Sequence, residues 1–220
     1  MTRKLLKGPR VELDEARRRH FDGVLANTPP GGVIDYRSDA PRWEFLWWCA
    51  EERGLLVHGA GRADIDEFTP RSQTDWYSRR TTAVFAASDG IWPMFFAIVD
   101  RKRYRGSLRN GCVRFGVGAL ASEKRYWFSL NATARGGRYW TPGTMYLLPR
   151  DNFRPTPPLL GMQPQEWSNP NPVAPLARLH IEPNDFPFLD DVGVHREYQE
   201  LPTMLRAARD ARRRLRSQGR

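Results

Sequence analysis

Cysteine is scarce in this chain: two residues, Cys49 and Cys112, in 220. They lack the close spacing of a metal-ligand pair, and the four histidines are scattered, so no zinc site can be assembled and no metal is expected. Packed, reduced thiols in a cytoplasmic protein are the expectation. Long apolar runs are also missing; none approaches the roughly 18 residues of a membrane-spanning helix. The basic start, Met1 to Lys7, has no apolar stretch or small-residue cleavage site behind it, which argues against a secretory signal. There is no phosphate-binding P-loop, no dinucleotide-binding glycine pattern and no Gly-x-Ser-x-Gly nucleophile elbow. Acidic residues are outnumbered, 25 against 35 basic ones, for a net charge of +10. That balance is unusual for a metabolic enzyme and favours a polyanion such as RNA or DNA as partner.

What is present suits one folded domain. Hydrophobic residues make up 40% and aromatics 12%, enough for a packed core at this length. Residues 12–26 read as an amphipathic helix stopped by Asn27-Thr28-Pro29-Pro30. A second helix is expected from Pro41 to Arg53, with Trp43, Phe45, Leu46, Trp47 and Trp48 apolar almost all round and Gly54 after it. Leu55–His58 reads as a buried strand. Residues 59–80 look loop-like, with a short strand at Ile65–Phe68 and a polar stretch from Arg71 to Trp76. Thr81–Ala86 is a β-branched strand, and Ser88 or Asp89 could cap a helix reaching Asp100. Further strands are expected at 111–117, 124–130, 144–148 and 173–181. The seven prolines of residues 149–172 predict a long loop, and Asp185 to Leu189 a return to the core. The last 15 residues hold seven arginines against Asp210 and read as a basic helix, 199–217. Helices first and then mostly strands define an α+β protein.

One constellation stands out. His58-Gly59 closes an apolar strand, Val84-Phe85-Ala86 lies on the next, and Phe96 follows on a helix, 11 residues after Phe85. This arrangement resembles the NAD-binding core of ADP-ribosyltransferases, in the branch of diphtheria toxin, poly-ADP-ribose polymerases and rifampicin transferases. The likeness covers 55–182 loosely and 55–100 well. It implies a split two-sheet β core over 55–190; the N-terminal helical extension (1–54) packed on it and the basic C-terminal helix (191–220), read from their own residues, lie outside the resemblance. It also implies that His58 holds a ribose hydroxyl of NAD and that the Gly59 main chain meets the nicotinamide carboxamide. Phe85 and Phe96 would then stack on the ring. NAD would serve as substrate: its glycosidic C–N bond breaks through an oxocarbenium-like state, nicotinamide leaves, and ADP-ribose passes to an unknown acceptor, which the arginine content suggests is nucleic acid. Two positions depart from the family pattern. Phe85 replaces the usual Tyr, and Ala60 the Thr or Ser after His-Gly.

Such chemistry needs a carboxylate near the ribose. Glu166, between the proline-rich segment and the strand at 173–181, is the first candidate. Thr144 occupies a comparable position if the late strands are counted differently, and would make the enzyme degenerate; Asp185 and Glu182 are further candidates. A defective member of the same fold that binds nucleic acid is the alternative function, and removal of an RNA 2′-phosphate with NAD a third. Each marked residue also has a structural alternative. A His at a strand end is commonly a satisfied core residue, and phenylalanines on a helix face are commonly core. The basic and aromatic stretch Arg101 to Arg105, with Arg109, Arg114, Lys124 and Arg125, fits a nucleic-acid groove or a charge-protected sheet edge. Arg135-Gly136-Gly137-Arg138 reads as a hairpin turn.

Overall fold

A computed structural model describes residues 5–116, 121–131 and 139–196. The expected helix at 199–217 and turn at 135–138 lie outside the described residues. Asp14 starts α1 (Glu15–Ala26) by accepting a hydrogen bond from the Arg17 amide at 2.7 Å. In α2 (Arg42–Glu51), Phe45, Leu46, Trp48, Cys49 and Ala50 are buried, and Gly54 adopts the positive φ of +67° that turns the chain towards the first long strand. α3 (Met94–Ile98) is shorter than the sequence predicts. Its continuation is captured elsewhere: Val99 bridges Trp140, and Asp100 donates to the Tyr139 carbonyl at 2.8 Å. Tertiary pairing outcompetes another helical turn.

Two sheets are built on these helices. The larger runs β2 (Gly32–Val33), β12 (Ala177–Ile181), β8 (Gly143–Leu148), β3 (Leu56–Ala60), β5 (Arg80–Ala87), β11 (Glu166–Asn169) and β9 (Arg154–Pro155), with β4 (Arg71–Thr74) also on β5. The smaller runs β1 (Leu6–Lys7), β7 (Arg125–Asn131), β6 (Leu108–Phe115) and β10 (Met162–Pro164), with β13 (Gly193–His195) on β7. The protein is therefore α+β, with two sheets and three α-helices among the described residues. The first 54 residues contribute a strand to each sheet and bury Phe21 and the α2 aromatics in the main core.

Three expectations need correcting. The polar stretch after Arg71 is a strand, because it zips onto β5 from Arg71–Ala83 to Thr74–Arg80. Ile65–Phe68 is only an isolated bridge from Phe68 to Val173. The proline-rich segment 149–172 is no plain loop, since it supplies β9, β10 and β11. Prolines fall at the ends of β9 and β10, where a missing N–H costs the ladder least. This segment also joins the sheets: Gln165 N–H donates to the Cys112 carbonyl (3.1 Å) while its own carbonyl accepts from Ser88 N–H (2.9 Å).

The main core packs α1, α2 and α3 with one face of each sheet, including Val57, Ala87, Met145, Leu147, Tyr126 and Phe128; Phe186 and Phe188 close onto it as the sequence suggests. A second apolar cluster covers the opposite face of the larger sheet, with Leu56, Val84, Ala86, Tyr146 and Leu148 beneath Phe68, Phe153 and Val173. Among the described residues no helix is long and apolar enough to cross a membrane.

Candidate functional site

The place where the larger sheet comes apart is the place the sequence marks. β3 pairs with β8 over five residues, yet with β5 at one pair alone, Val57–Ala87. Beyond it a side chain replaces the backbone ladder: His58 Nδ1–H donates to the Phe85 carbonyl at 2.7 Å. That bond fixes the tautomer and leaves Nε2 as an acceptor, as holding a ribose hydroxyl would require. The ring is half-buried and packs against Phe68, with centroids 4.6 Å apart. Burial lowers the His58 pKa, the Phe85 carbonyl opposes this, and the Arg71 charge adds to the lowering.

Gly59 and Gly143 lie under α3. A Cβ on Gly59 would overlap the Pro93 carbonyl, and one on Gly143 the Ala97 carbonyl. The absence of a side chain at Gly59 and Gly143 lets α3 lie flat on β3 and β8. Phe85 is half-buried and Phe96, at 40% exposure, lies open on α3; neither belongs to an apolar cluster. Phe96 has Trp92 and Phe95 as ring neighbours, each with centroids at 6.3 Å. Trp92 leads on to Trp76 and then Trp127, giving an aromatic layer that sequence spacing does not reveal.

Strand alternation decides which groups meet. Glu166 faces Ala87 across the β11–β5 ladder and Phe85 faces Ser168, so both side chains share the α3 side of the sheet with Gly59. His58 points to the other side, with Ala60 and, across β8, Thr144 and Tyr146. The structure therefore brings Glu166, Phe85 and Phe96 to one side and leaves His58 on the other. Glu166 Oε1 accepts from the Trp76 amide and the Thr156 hydroxyl, both at 3.0 Å. Burial raises its pKa; those two bonds oppose the rise and the Asp75 charge adds to it. Thr144 is buried and its hydroxyl lies 3.2 Å from His180 Nδ1. Asp185 caps a short 3-10 turn with Glu182 and pairs with Arg42 at 3.2 Å, a structural engagement.

A buried ionic cluster, invisible in the sequence, sits where α2 and the two sheets meet. Asp89 Oδ1 accepts from the amides of Ile91 (3.1 Å) and Trp92 (2.6 Å), which shapes the turn into α3. Its Oδ2 meets Lys124 Nζ at 2.9 Å and the Tyr126 hydroxyl at 2.8 Å. Lys124 also contacts Glu51, which pairs with Arg114 at 3.2 Å. Burial alone would push the Asp89 pKa up, but the Lys124 charge and these hydrogen bonds bring it below its ordinary value. Beside this cluster opens a cavity of about 230 Å³ lined by Glu51, Ser88, Arg114, Arg150, Gln163 and Trp167, among others. Among the described residues no group of three or more His, Cys, Asp or Glu is arranged to hold a metal ion.

Comparison with known proteins adds no identity: no family model, no curated protein and no solved structure matches this chain.

Proposed function

We propose that this chain is a divergent ADP-ribosyltransferase-type domain that binds NAD at the splayed edge of β3 and passes its ADP-ribose to an acceptor, releasing nicotinamide. One observation carries the reading. The β3–β5 ladder stops after a single pair just where His58 and Gly59 stand, the His58 ring spans the gap to the Phe85 carbonyl, and Phe85 and Phe96 lie outside both apolar clusters. The split two-sheet architecture of that family is part of the proposal. So is a nucleic-acid acceptor, for which the net charge of +10 is the support. In this reading Glu166 is the acid that stabilises the oxocarbenium-like state.

A second reading has its own support. The position that shares the His58 side of the sheet is occupied by Thr144, while Glu166 faces away and already accepts two hydrogen bonds. The domain then holds its ligand without breaking it, and its basic surface binds nucleic acid.

Calorimetric titration with NAD, together with chromatography of released nicotinamide, separates these readings. On the first, wild type binds NAD and releases nicotinamide, and Glu166→Ala slows release about a hundredfold or more. Phe96→Ala keeps the fold and weakens binding by up to about tenfold, the worth of one ring contact. NAD binding without release, with release appearing in Thr144→Glu, selects the second. Absence of NAD binding sinks the pocket on both.

A further inference from the structure

We propose that the cavity between α2, β6, β10 and β11 is a binding site for a phosphate group, separate from the opening at β3. Its volume, about 230 Å³, is several times the share of one water molecule, about 30 Å³, and below the size of drug-like pockets. A phosphate group with a small attached moiety fits a space of this size.

The charge on its wall selects an anion. Glu51 is shared by Arg114 and Lys124, and Asp89 completes the neutralisation of Lys124. Lys124 and Asp89 neutralise each other behind the lining; on the lining itself Glu51 pairs with Arg114, and Arg150 is the cation left over. Among the described residues no carboxylate lies within ion-pair distance of Arg150; its guanidinium is stacked on the Trp167 ring, 4.1 Å from the centroid. Packing over the ring restrains the exposed Arg150 guanidinium beside the cavity, and its N–H donors form a fork of the kind that matches phosphate oxygens. Arg114 closes the opposite wall with one nitrogen on Glu51 and another 3.4 Å from the Ser122 carbonyl. Ser88 and Gln163 add neutral polar groups. A single excess positive charge suits a phosphodiester or a singly charged phosphate.

Such a group arrives either as free phosphate or in a nucleic-acid backbone, so two probes are titrated and followed by calorimetry: inorganic phosphate, and a dinucleoside monophosphate whose only phosphate is the diester. The proteins are wild type, Arg150→Gln and Arg150→Lys. The expected result is saturable binding of at least one probe. It weakens about tenfold or more in Arg150→Gln, the loss of a charge-assisted hydrogen bond, with the melting temperature unchanged. Arg150→Lys recovers only part of it, because a point charge replaces a fork. Binding of inorganic phosphate alone assigns the site to free phosphate, and binding of the diester assigns it to a backbone. Failure of both probes to bind, or binding that Arg150→Gln leaves unchanged, overturns the proposal. NAD titrations of the same variants stay at the wild-type value, so this outcome is independent of the β3 pocket.

Discussion

At the scale of single residues, His58 is asked to do two things, and only one needs a ligand. Its Nδ1–H replaces a rung of the β3–β5 ladder, and its ring fills space beside Phe68. Truncation leaves the Phe85 carbonyl without this donor and opens a void. His58→Ala therefore costs about 1–3 kcal/mol of unfolding free energy in urea titration. Protonation has a definite sign. The folded-state pKa lies below the ordinary value of 6.5, so the unfolded chain takes up the proton first. The stability this residue confers is complete above pH 6.5 and is lost as pH falls past that value and through the lower folded one. In His58→Ala this part of the pH dependence vanishes; a wild-type curve that stays level below pH 6.5, with the variant parallel to it, refutes the assignment. Glu166 slopes the other way. Burial raises its pKa, so its contribution is greatest in acid and declines as pH rises through the folded value.

Elements were legible where local pattern and tertiary pairing agree. The capped start of α1, the apolar α2 and the strand ending in His58-Gly59 can be read from the sequence because each is decided within a few residues. The end of α3 cannot, since Val99 and Asp100 are taken by Trp140 and Tyr139, some 40 positions away. Nor can β9 to β11, whose prolines conceal short strands that exist because β6 offers an edge to β10, β5 one to β11, and β11 in turn one to β9. The same distinction holds for the site. Gly59 and Phe85 share the α3 side of the sheet, whereas the His58 side chain stands on the opposite side and reaches the neighbouring strand only through the Phe85 carbonyl. The side on which an acid stands depends on which strands pair and in what register, so Glu166 and Thr144 could not be told apart in advance. The α3 contact itself is testable. A methyl group on Gly59 meets the Pro93 carbonyl, which is backbone and cannot rotate aside. Gly59→Ala should cost about 1–3 kcal/mol through displacement of α3, measured by thermal and denaturant unfolding. Unchanged stability would mean that α3 does not rest on this strand.

Across the whole molecule, two sheets must hold a fixed relation for any pocket at their junction to persist, and a buried ionic cluster ties that corner beside the shared apolar core. Asp89 belongs to the turn after β5 and Lys124 immediately precedes β7, with Glu51 and Arg114 bracketing them from α2 and β6. Asp89→Asn keeps the shape but strands Lys124 with less than its charge partner. A loss of about 3–5 kcal/mol is expected by denaturant unfolding, the usual consequence of breaking a buried ion pair from one side. The net charge of +10 acts over a longer range and is unevenly spread along the chain: seven arginines and one aspartate fall in residues 206–220, so removing that segment leaves +4. If polyanion binding is a property of the whole chain, the logarithm of its affinity falls linearly with the logarithm of salt, with a slope set by the number of phosphates neutralised. Deleting 206–220 then makes the slope for a short single-stranded RNA shallower by several units, at about 0.7 per lost phosphate contact. Binding at the 230 Å³ cavity is retained, because Arg114, Arg150 and Trp167 are untouched. Fluorescence anisotropy at three or more salt concentrations measures both slopes. An unchanged slope would assign nucleic-acid affinity to the rest of the chain and leave the terminal arginines without a part in it.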